Sequence, residues 1–263
     1  MSEPGEGREA YNPAGARPGM NPAEESERNG HAVRSYKMAI SVGALALAWT
    51  RQEQAPAGAT VVADREVSPL GRLAKVWTTP AEKTLAMAVV IRPPLAIEEA
   101  DAIWLLASLA AAEGAEVASG RPTHTRWPDH IVQGEDDELV AVAKAEIQLG
   151  PGKVRSAVLT LRFDLPRLGL AGGQADRLAL LDAVLASLDV HLATTAEGAT
   201  AIAAAYQSRC SLLGQRIKVR LLPKGETRGV PRGVDRMGRL EMESPSGMVE
   251  RLTIDTLREY QVV

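Results

Sequence analysis

The sequence predicts an α+β protein, with one large domain of strands and helices followed by a small β-barrel. Three observations lead to this fold class. Two extended segments, Glu138–Leu149 and Val154–Asp164, flank a Gly-Pro-Gly-Lys turn and predict a long β-hairpin. An Ala-rich stretch that ends near Val117 has the apolar spacing of a helix. From Leu213 onward, short alternating segments separated by glycines predict short strands and tight turns that close into a barrel.

The composition is that of an ordinary globular protein. Of the 263 residues, 45% are hydrophobic and 24% are charged, which suits one large domain or one domain with a small appendage. The net charge of −3 gives no electrostatic reason to expect nucleic acid as a partner. Aromatic residues make up only 3% of the chain, which argues against a base-stacking surface and predicts an aliphatic core.

The single cysteine and the apolar pattern indicate a cytoplasmic protein. Cys210 has no second cysteine to pair with, so an intramolecular disulfide and a cysteine-rich metal site are excluded. We interpret it as a small apolar residue near a helix. No apolar run reaches the roughly 18 residues of a membrane span, and the N-terminus has no apolar signal core. We therefore expect neither a membrane partner nor a metal site.

The first third of the chain is expected to pass from disorder into helix and strand. Residues 1–30 contain no large aliphatic side chain, so we predict a disordered segment and place the start of the fold near His31–Tyr36. Apolar residues between Met38 and Trp49 suit a first helix, which the loop Gln54–Gly58 ends. A short apolar strand is expected at Ala59–Ala63.

A second strand and a long helix follow. The strand Thr84–Ile91 is closed by Arg92-Pro93-Pro94, where two prolines prevent both ladder and helix. The carboxylates between Glu98 and Asp101 then mark the first turn of a helix, since negative charge is favourable at the N-terminal end of the helix dipole. This helix should bury Ile103, Leu106, Leu109 and Ala110 on one face.

Two further helices complete the large domain, at roughly Ala175–Ala193 and Thr200–Cys210. The sequence therefore divides into a disordered segment at 1–30, a large domain at 31–212 and a small β domain at 213–263.

Several motifs, in a particular order and spacing, carry a resemblance to a known family. They are Ala63–Trp77, Thr84–Pro93, Arg126–Val132, the hairpin that ends at Leu165, and a tail containing Gly229–Asp235 and Gly238–Leu240. From near Val33 to the C-terminus the chain resembles the biotin protein ligase and lipoate ligase family. The resemblance implies a mixed, largely antiparallel sheet with packed helices and a C-terminal SH3-like barrel.

The resemblance also implies a chemistry. Family members join biotin to ATP, giving biotinyl-adenylate and pyrophosphate, and then pass the acyl group to a lysine of a carrier domain. Two anions must meet, which requires fixed cations and backbone donors. The adenylate must also be shielded from water by a loop that closes. An active member would use ATP, Mg²⁺ and biotin, with a biotinyl or lipoyl carrier domain as partner, and family members often form homodimers.

The family's closing loop is a Gly-Arg-Gly-Arg run, and here it is altered. The matching stretch is Pro69–Arg72, in which Pro69 fixes one backbone angle and Leu70 removes one cation. Gly71, Arg72, Lys75 and Trp77 keep the family pattern. Either this is an altered ligand loop with a retained phosphate-binding arginine, or it is a surface loop with solvated basic side chains.

The acid-binding positions are altered as well. The family's Ser-Thr-Asn at the start of the first helix is Ser41-Val42-Gly43 here, so a hydroxyl and an amide are missing. The family's glutamine in the first loop is Glu66. A carboxylate there would repel a carboxylate substrate unless it is protonated or turned away.

The family's Lys-Trp-Pro-Asn-Asp signature is represented by Arg126–His130. Arg126 keeps the charge but replaces a point charge by a planar fork. Trp127 is interpreted as a packing residue. The family's final aspartate, associated with metal and nucleotide, aligns with His130, which is either a ligand or pH-sensitive group or an ordinary polar contact.

The family's catalytic lysine has no direct counterpart. Counting forward from Asp129, it falls at Asp137 or Glu138. Lys144 lies six residues after Glu138, hence on the same strand face, and replaces the lysine only if the register differs. The alternative is a solvated sheet residue. The second hairpin strand lacks the family's Gly-Ile-Gly-x-Asn and fills the pocket floor with larger side chains.

These positions define the candidate site. The catalytic candidates are Lys144 and Arg72, and the ligand-binding candidates are Ser41, Glu66, Gly71, Lys75, Trp77, Arg126, Trp127, Asp129 and His130.

Two functional hypotheses follow. One is a weakly active or non-catalytic relative that binds a carrier protein or an acyl ligand, and the other is an active ATP-dependent biotin ligase. A working pocket should direct Lys144 into the cavity of Arg72 and Arg126, whereas a degenerate one should be filled by Leu70, Leu161 or Phe163. A DNA-binding regulator is not expected, because residues 1–30 leave no room for a winged helix.

Overall fold

The structure is a computed structural model that describes residues 21–223 and 225–263. It confirms the α+β class, with a large mixed sheet, four helices and a second, antiparallel sheet. The large sheet has eight strands in the order β1-β2-β3-β4-β8-β7-β6-β5, and only β2 and β3 pair in parallel. Its strands are β1 Glu24–Arg28, β2 His31–Tyr36, β3 Thr60–Ala63, β4 Thr84–Ile91, β5 Thr123–Arg126, β6 His130–Gln133, β7 Glu138–Leu149 and β8 Val154–Asp164.

The helices lie on both faces of the large sheet. They are α1 Val42–Gln52, α2 Ala102–Ser119, α3 Gln174–Ala193 and α4 Thr200–Arg209. A small core beneath α1 contains Val42, Ala46, Val61 and Val90. The larger core, on the opposite face, contains α2, α3 and α4. On the α1 face the sheet is therefore covered by one short helix and by the loops around it.

The N-terminal prediction is wrong in part. Residues 1–20 lie outside the described residues, but Glu24–Arg28 forms β1, where disorder was expected. This strand is almost entirely exposed and contributes little apolar burial, which is why its composition resembles that of a disordered segment. Its order comes from backbone pairing with β2 and from the Arg28–Asp182 ion pair.

The first helix is shorter than predicted. It begins at Val42, and its N-cap Ser41 accepts a hydrogen bond from the Ala44 backbone N–H. Met38 and Ile40, expected in the helix, precede it and are exposed. The spacing of these two apolar residues fits one face of a helix, but the backbone there is not helical.

The long Ala-rich helix α2 packs closely, as its small residues predicted. A Cβ built at Gly114 would lie only 2.5 Å from Val184 Cγ2, so α2 and α3 approach nearly to backbone contact. By length and composition, α2 and the segment Gln174–Glu197 are apolar enough to cross a membrane, although neither is an uninterrupted apolar run. In the structure α2 packs against both the sheet and α3.

The β7–β8 hairpin has the predicted bounds, and its edge contains a bulge. Val132 pairs with Leu139 and Ile131 with Ala141, so Val140 is the extra residue. The bulge interrupts the two-residue alternation of side chains. Lys144 and Glu138 therefore lie on opposite faces, and the prediction that they share one is wrong.

The C-terminal part is a five-stranded antiparallel sheet in the order β12-β11-β10-β9-β13. Its strands are β9 Ile217–Leu221, β10 Glu226–Val234, β11 Leu240–Glu243, β12 Val249–Leu252 and β13 Leu257–Val262. The predicted boundary near residue 212 falls between α4 and β9. Trp127 Nε1 joins the two parts by donating to the Gly238 carbonyl at 3.0 Å.

Candidate ligand site

One transverse row of side chains on the α1 face of the large sheet organises the site. Directly paired residues on neighbouring strands point to the same face. Successive pairs across five strands and the β5 edge give the row Ala63, Ala86, Arg162, Val142, His130 and Arg126. Since neighbouring strands are about 4.8 Å apart, Arg162 and His130 stand roughly 10 Å from each other. Most of the candidate residues lie at one of these two positions, which form the two ends of the site.

At the first position, Arg162 and Glu66 form a buried ion pair. Arg162 Nε donates to Glu66 Oε2 at 2.6 Å and Nη2 donates to Oε1 at 2.8 Å, a two-pronged geometry. The side chains are only 1% and 4% exposed, respectively. Glu66 also accepts the Val42 backbone N–H at 3.0 Å, at the start of α1. Glu66 is thus charge-compensated inside the protein.

The same arginine holds the loop around Pro69–Arg72, which the resemblance matches to the family's closing loop and which is called the ligand loop below. Arg162 Nη1 donates to the Leu70 carbonyl at 3.2 Å. Pairing two buried charges offsets a large desolvation cost, which is recovered only when the remaining donors are also satisfied. Here Nε and Nη2 of Arg162 donate to Glu66, and Nη1 donates to the Leu70 carbonyl, so each guanidinium nitrogen has a partner. The loop and the pocket floor are therefore fixed to each other by one side chain.

A second substitution is compensated by a glycine. Thr160, like Arg162, stands in the strand where the family has glycines, and its side chain is buried. A Cβ built at Gly43 would lie 2.5 Å from Thr160 Oγ1 and 3.2 Å from Glu146 Oε2. Gly43 therefore leaves the room that these larger side chains occupy, so the changes in α1 and β8 fit each other.

Little space remains at this position. A cavity of about 40 Å³ lies beside Glu66, between Pro69 and Trp77. Ligand pockets usually measure about 300–1,000 Å³. Trp77 is held at the edge of this cavity by a hydrogen bond from Nε1 to Thr84 Oγ1 at 3.1 Å. This end of the row, where the resemblance places the acid, is closed.

The other end of the row is an open, mostly cationic cleft. Its cavity of about 350 Å³ is lined by Arg72, Lys75, Arg126, Asp129, His130, Glu259, Tyr260 and Val262. Five of the predicted site residues meet here, from the ligand loop, the end of β5 and the start of β6. The C-terminal strand β13 supplies the opposite wall.

Arg72 and Asp129 are the most buried charges of the cleft. Arg72 Nε donates to Asp129 Oδ2 at 3.2 Å, with side chains 9% and 7% exposed. Arg72 Nη1 also donates to the Leu257 carbonyl at 2.7 Å. Arg72 therefore neutralises Asp129. Lys75 has no ion-pair partner within the described part of the chain, so its charge is available to a ligand.

Arg126 faces the cleft with only weak partners. Its nearest carboxylate oxygen belongs to Asp137, 3.8 Å from Nη1, and its guanidinium carbon lies 5.9 Å from the Tyr260 ring centroid. Its Nε is buried and has no hydrogen-bond partner among the described residues. Burial raises the pKa of Tyr260, so this wall of the cleft remains a neutral phenol at neutral pH.

His130 stands among these cations. Burial lowers its pKa, Asp129 acts in the opposite direction, and the charges of Lys75, Arg72 and Arg126 lower it further. The imidazole Nε2 is 3.9 Å from Asp129 Oδ1. His130 is therefore neutral at pH 7 and offers a donor to a ligand.

The remaining candidates have structural contacts. Ser41 caps α1, and the Gly71 N–H donates to the Lys75 carbonyl at 2.8 Å within the loop. Trp127 is fully buried, as its interpretation as a packing residue requires. The loop conformation depends on Leu73 and Ala74, which have positive φ values of 53° and 56°. A glycine would adopt such values without strain.

Lys144 does not enter the cleft. Its Nζ lies 3.3 Å from Glu146 Oε1, and it lines neither the cavity of Arg72 nor the one beside Glu66. The expectation that Leu161 or Phe163 would fill a degenerate pocket is wrong, because both point into the larger core. Leu70 is also partly exposed, and the side chain that fills the pocket is Arg162.

Sequence reasoning missed Arg162 at the closed end and three β13 residues, Glu259, Tyr260 and Val262, at the open end. Arg162 is the single charged residue of Val158–Phe163, a part of β8 that is otherwise uncharged and buried. A charge in such a strand needs a partner, and Glu66 was the unexplained carboxylate, so their pairing could have been inferred. Tyr260 gave no comparable signal, because its position depends on how the C-terminal sheet packs.

Comparison of sequences identifies two bacterial relatives. The bifunctional ligase/repressor BirA of Bacillus spizizenii and that of Bacillus subtilis are each 25% identical to the chain over 219 residues. The match covers 76% of this chain and 66% of each relative, so the chain spans just under two thirds of their length. No protein-family model matches the chain.

Comparison of structures gives the same fold. The biotin protein ligase of Aquifex aeolicus, solved with biotin and ATP, superposes with a TM-score of 0.67 at 18% identity, over 88% of this chain and 99% of the other. A biotin protein ligase-like protein of unknown function from a Silicibacter species superposes with a TM-score of 0.62 at 13% identity, over 87% and 96%. At these identities the likeness concerns the fold.

The fold and the row of site residues define a ligase-like α+β protein with one closed and one open end to its cleft. In sequence and in fold the chain is similar to biotin protein ligases, as the resemblance in its motifs predicted.

Proposed function

We propose that this chain is a non-catalytic or very weakly active relative of the biotin protein ligases, which keeps the fold and binds a carrier protein or an acyl-type ligand without adenylating biotin. The observation that carries the proposal is the Glu66–Arg162 ion pair. It occupies the place where the resemblance puts the acid, and it leaves about 40 Å³ beside it.

Two further contacts support the proposal. The loop that should close over an adenylate is bonded from below by Arg162 and from its other side through Arg72 to the C-terminal sheet. Lys144, the substitute for the family's lysine, is paired with Glu146 outside the cleft. A bound acid would have to displace a paired, buried charge, which costs several kcal/mol.

The alternative is an active ATP-dependent biotin ligase that uses ATP, Mg²⁺ and biotin and modifies a carrier-domain lysine. The cations Arg72, Lys75 and Arg126 favour it, because adenylation requires positive charge at the phosphates. This alternative further requires that the Glu66–Arg162 pair open on binding.

Pyrophosphate exchange distinguishes the two. The purified full chain is incubated with ATP, Mg²⁺ and labelled pyrophosphate, in separate reactions with biotin, lipoate and octanoate. We expect no exchange above the acid-free blank with any of the three. Exchange with one acid would overturn the proposal and identify the substrate.

A matched pair of double variants tests the cause. Glu66→Gln with Arg162→Gly removes both charges and empties the pocket, whereas Glu66→Gln with Arg162→Leu removes both charges and leaves it filled. Changing both partners together avoids an uncompensated buried charge. Biotin binding is measured by calorimetry, and we expect it only in the emptied variant. Binding to wild type, or to both variants equally, would show that the ion pair does not close the pocket.

The partner is expected to be a biotinyl or lipoyl carrier domain, or a second copy of the chain. Mixing the protein with isolated carrier domains and measuring the mass by light scattering separates carrier binding, homodimer formation and a monomer that binds neither.

A further inference from the structure

The open end of the cleft has the charge of an anion site but not the donors of a magnesium site. Mg²⁺ prefers near-octahedral coordination by oxygen, usually from one or two carboxylates and the substrate phosphates. Of the two carboxylates that line the cleft, Asp129 bonds to Arg72 and Glu259 bonds to Arg220 at 2.6 Å. Across residues 21–223 and 225–263, no three His, Cys, Asp or Glu side chains cluster closely enough to hold a metal ion.

The charged groups around His130 can provide the positive charge that a metal ion would bring to the cleft. Arg72 and Lys75 of the ligand loop face His130. Arg126 at the end of β5 and Asp129 in the turn after it also face it. From β13 come Glu259 and Tyr260. Because Asp129 and Glu259 are already paired, Lys75 and Arg126 remain to attract an anion. Where the resemblance places a metal-associated aspartate, His130 contributes a neutral N–H donor.

We propose that this cleft binds a phosphate-bearing anion directly through Arg72, Lys75, Arg126 and His130, without a divalent cation. Arg126 brings an unpartnered, buried Nε and a guanidinium fork suited to phosphate oxygens. Lys75 adds a point charge at the cleft wall. Together these groups supply the positive charge that a metal bridging two phosphates would otherwise supply.

The inference deepens the proposed function and rests on it in one respect. A protein that no longer activates an acid has no need of a metal at a reacting phosphate, but its cationic cleft still binds the phosphate group. Binding therefore does not require biotin, and the test uses a probe that contains no acid.

The experiment measures inorganic pyrophosphate binding to the full chain by calorimetry, once in excess EDTA and once with Mg²⁺. We expect binding in EDTA, and an affinity that Mg²⁺ leaves unchanged or weakens by complexing the probe. Binding that appears only with Mg²⁺, or no binding under either condition, would overturn the inference.

A substitution at His130 sharpens the result. His130→Asp places a carboxylate among the phosphate-binding groups, and it should weaken metal-free binding by at least about tenfold, since like charges at close range are strongly unfavourable. It should also make Mg²⁺ favourable to binding. His124→Asp is the matched control, because His124 is exposed on the neighbouring strand and makes the same change of charge outside the cleft.

Equal weakening by His130→Asp and His124→Asp would mean that only the overall charge matters, which overturns the site. Circular dichroism and thermal unfolding confirm that each variant is folded. The two proposals fail separately: pyrophosphate exchange with an acid refutes the proposed function, whereas metal-dependent pyrophosphate binding refutes the present inference.

Discussion

The two ends of the transverse row contain similar residue types in opposite states. At one end, Arg162 and Glu66 are almost fully buried and satisfy each other. At the other, Arg72 and Asp129 pair beside an open cavity in which Lys75 and Arg126 remain available. The difference arises from geometry. Arg162 projects from the middle of the sheet under a loop, whereas Arg126 lies at the sheet edge, where water and ligands have access.

This comparison separates charged side chains that stabilise the structure from charged side chains that are available to bind a ligand. A charge that is buried and fully hydrogen-bonded contributes to the position of the loop, and its removal should change stability. A charge that is accessible and incompletely bonded should change affinity instead. The following predictions test that division, and they begin with the largest effect.

The largest effect is expected from Arg162→Met. It leaves the Glu66 carboxylate buried without a partner, which should lower the free energy of unfolding by about 3–5 kcal/mol. Urea unfolding measures the loss. Arg232→Met breaks an exposed pair with Glu243 and should cost less than about 1 kcal/mol. If the two variants are equally stable, Glu66 is hydrated and the acid end of the row is open.

Lys75→Gln should affect binding but not stability. Lys75 has no ion-pair partner among the described residues, so its removal should weaken pyrophosphate binding about fivefold to tenfold, equivalent to about 1 kcal/mol. Calorimetry measures the affinity and urea unfolding the stability. Lys153→Gln, on the β7–β8 turn, is the matched control and should leave the affinity unchanged. A loss of stability in Lys75→Gln would contradict the division of roles.

Anion binding should be linked to protonation of His130. Its pKa is lowered in the free protein by burial and by the neighbouring cations, so it is neutral at pH 7 and becomes charged only below its usual range near 6.5. A bound anion favours the charged imidazole. Sulfate, which does not titrate in this range, should therefore bind several-fold more tightly as the pH falls from about 7 to about 5.5.

His130→Asn removes the titrating group and serves as the reference for this effect. Its sulfate affinity should change little over the same pH range. An equal pH dependence in wild type and His130→Asn would assign the proton to another group.

The smallest effect is expected in the ligand loop itself. Ala74 has a φ of 56°, a conformation that costs an L-residue about 1–2 kcal/mol. Ala74→Gly removes this strain, and after the added entropy of the unfolded chain it should raise the free energy of unfolding by about 0.5–1 kcal/mol. Ala118→Gly, in α2, should instead lower it by about 1 kcal/mol.

Local pattern was sufficient to predict most of the fold. The strand Thr84–Ile91 and both strands of the hairpin have the predicted bounds, because buried apolar runs and a Gly-Pro-Gly turn are local signals. The strand β1 could not be predicted this way. Its pairing with β2 is a tertiary contact between polar residues, and its sequence contains no burial pattern.

The candidate site was predicted as a set of residues but not as two regions. Arg72, Lys75, Arg126, Asp129 and His130 were identified from their order along the chain, and they meet in one cleft. The role of Lys144 depended on the register of β7, which a single bulge at Val140 alters. The position of a bulge follows from pairing across strands, so counting along one strand cannot locate it.

The hydrogen bond from Arg72 to the Leu257 carbonyl connects the cleft to the C-terminal sheet. Leu257 begins β13, an edge strand of that sheet, and an anion that draws the Arg72 guanidinium towards itself takes a donor away from that strand. The amides of β13 would then exchange with solvent faster when the cleft is filled than when it is empty. Filling of the cleft would in this way alter the stability of the edge strand β13.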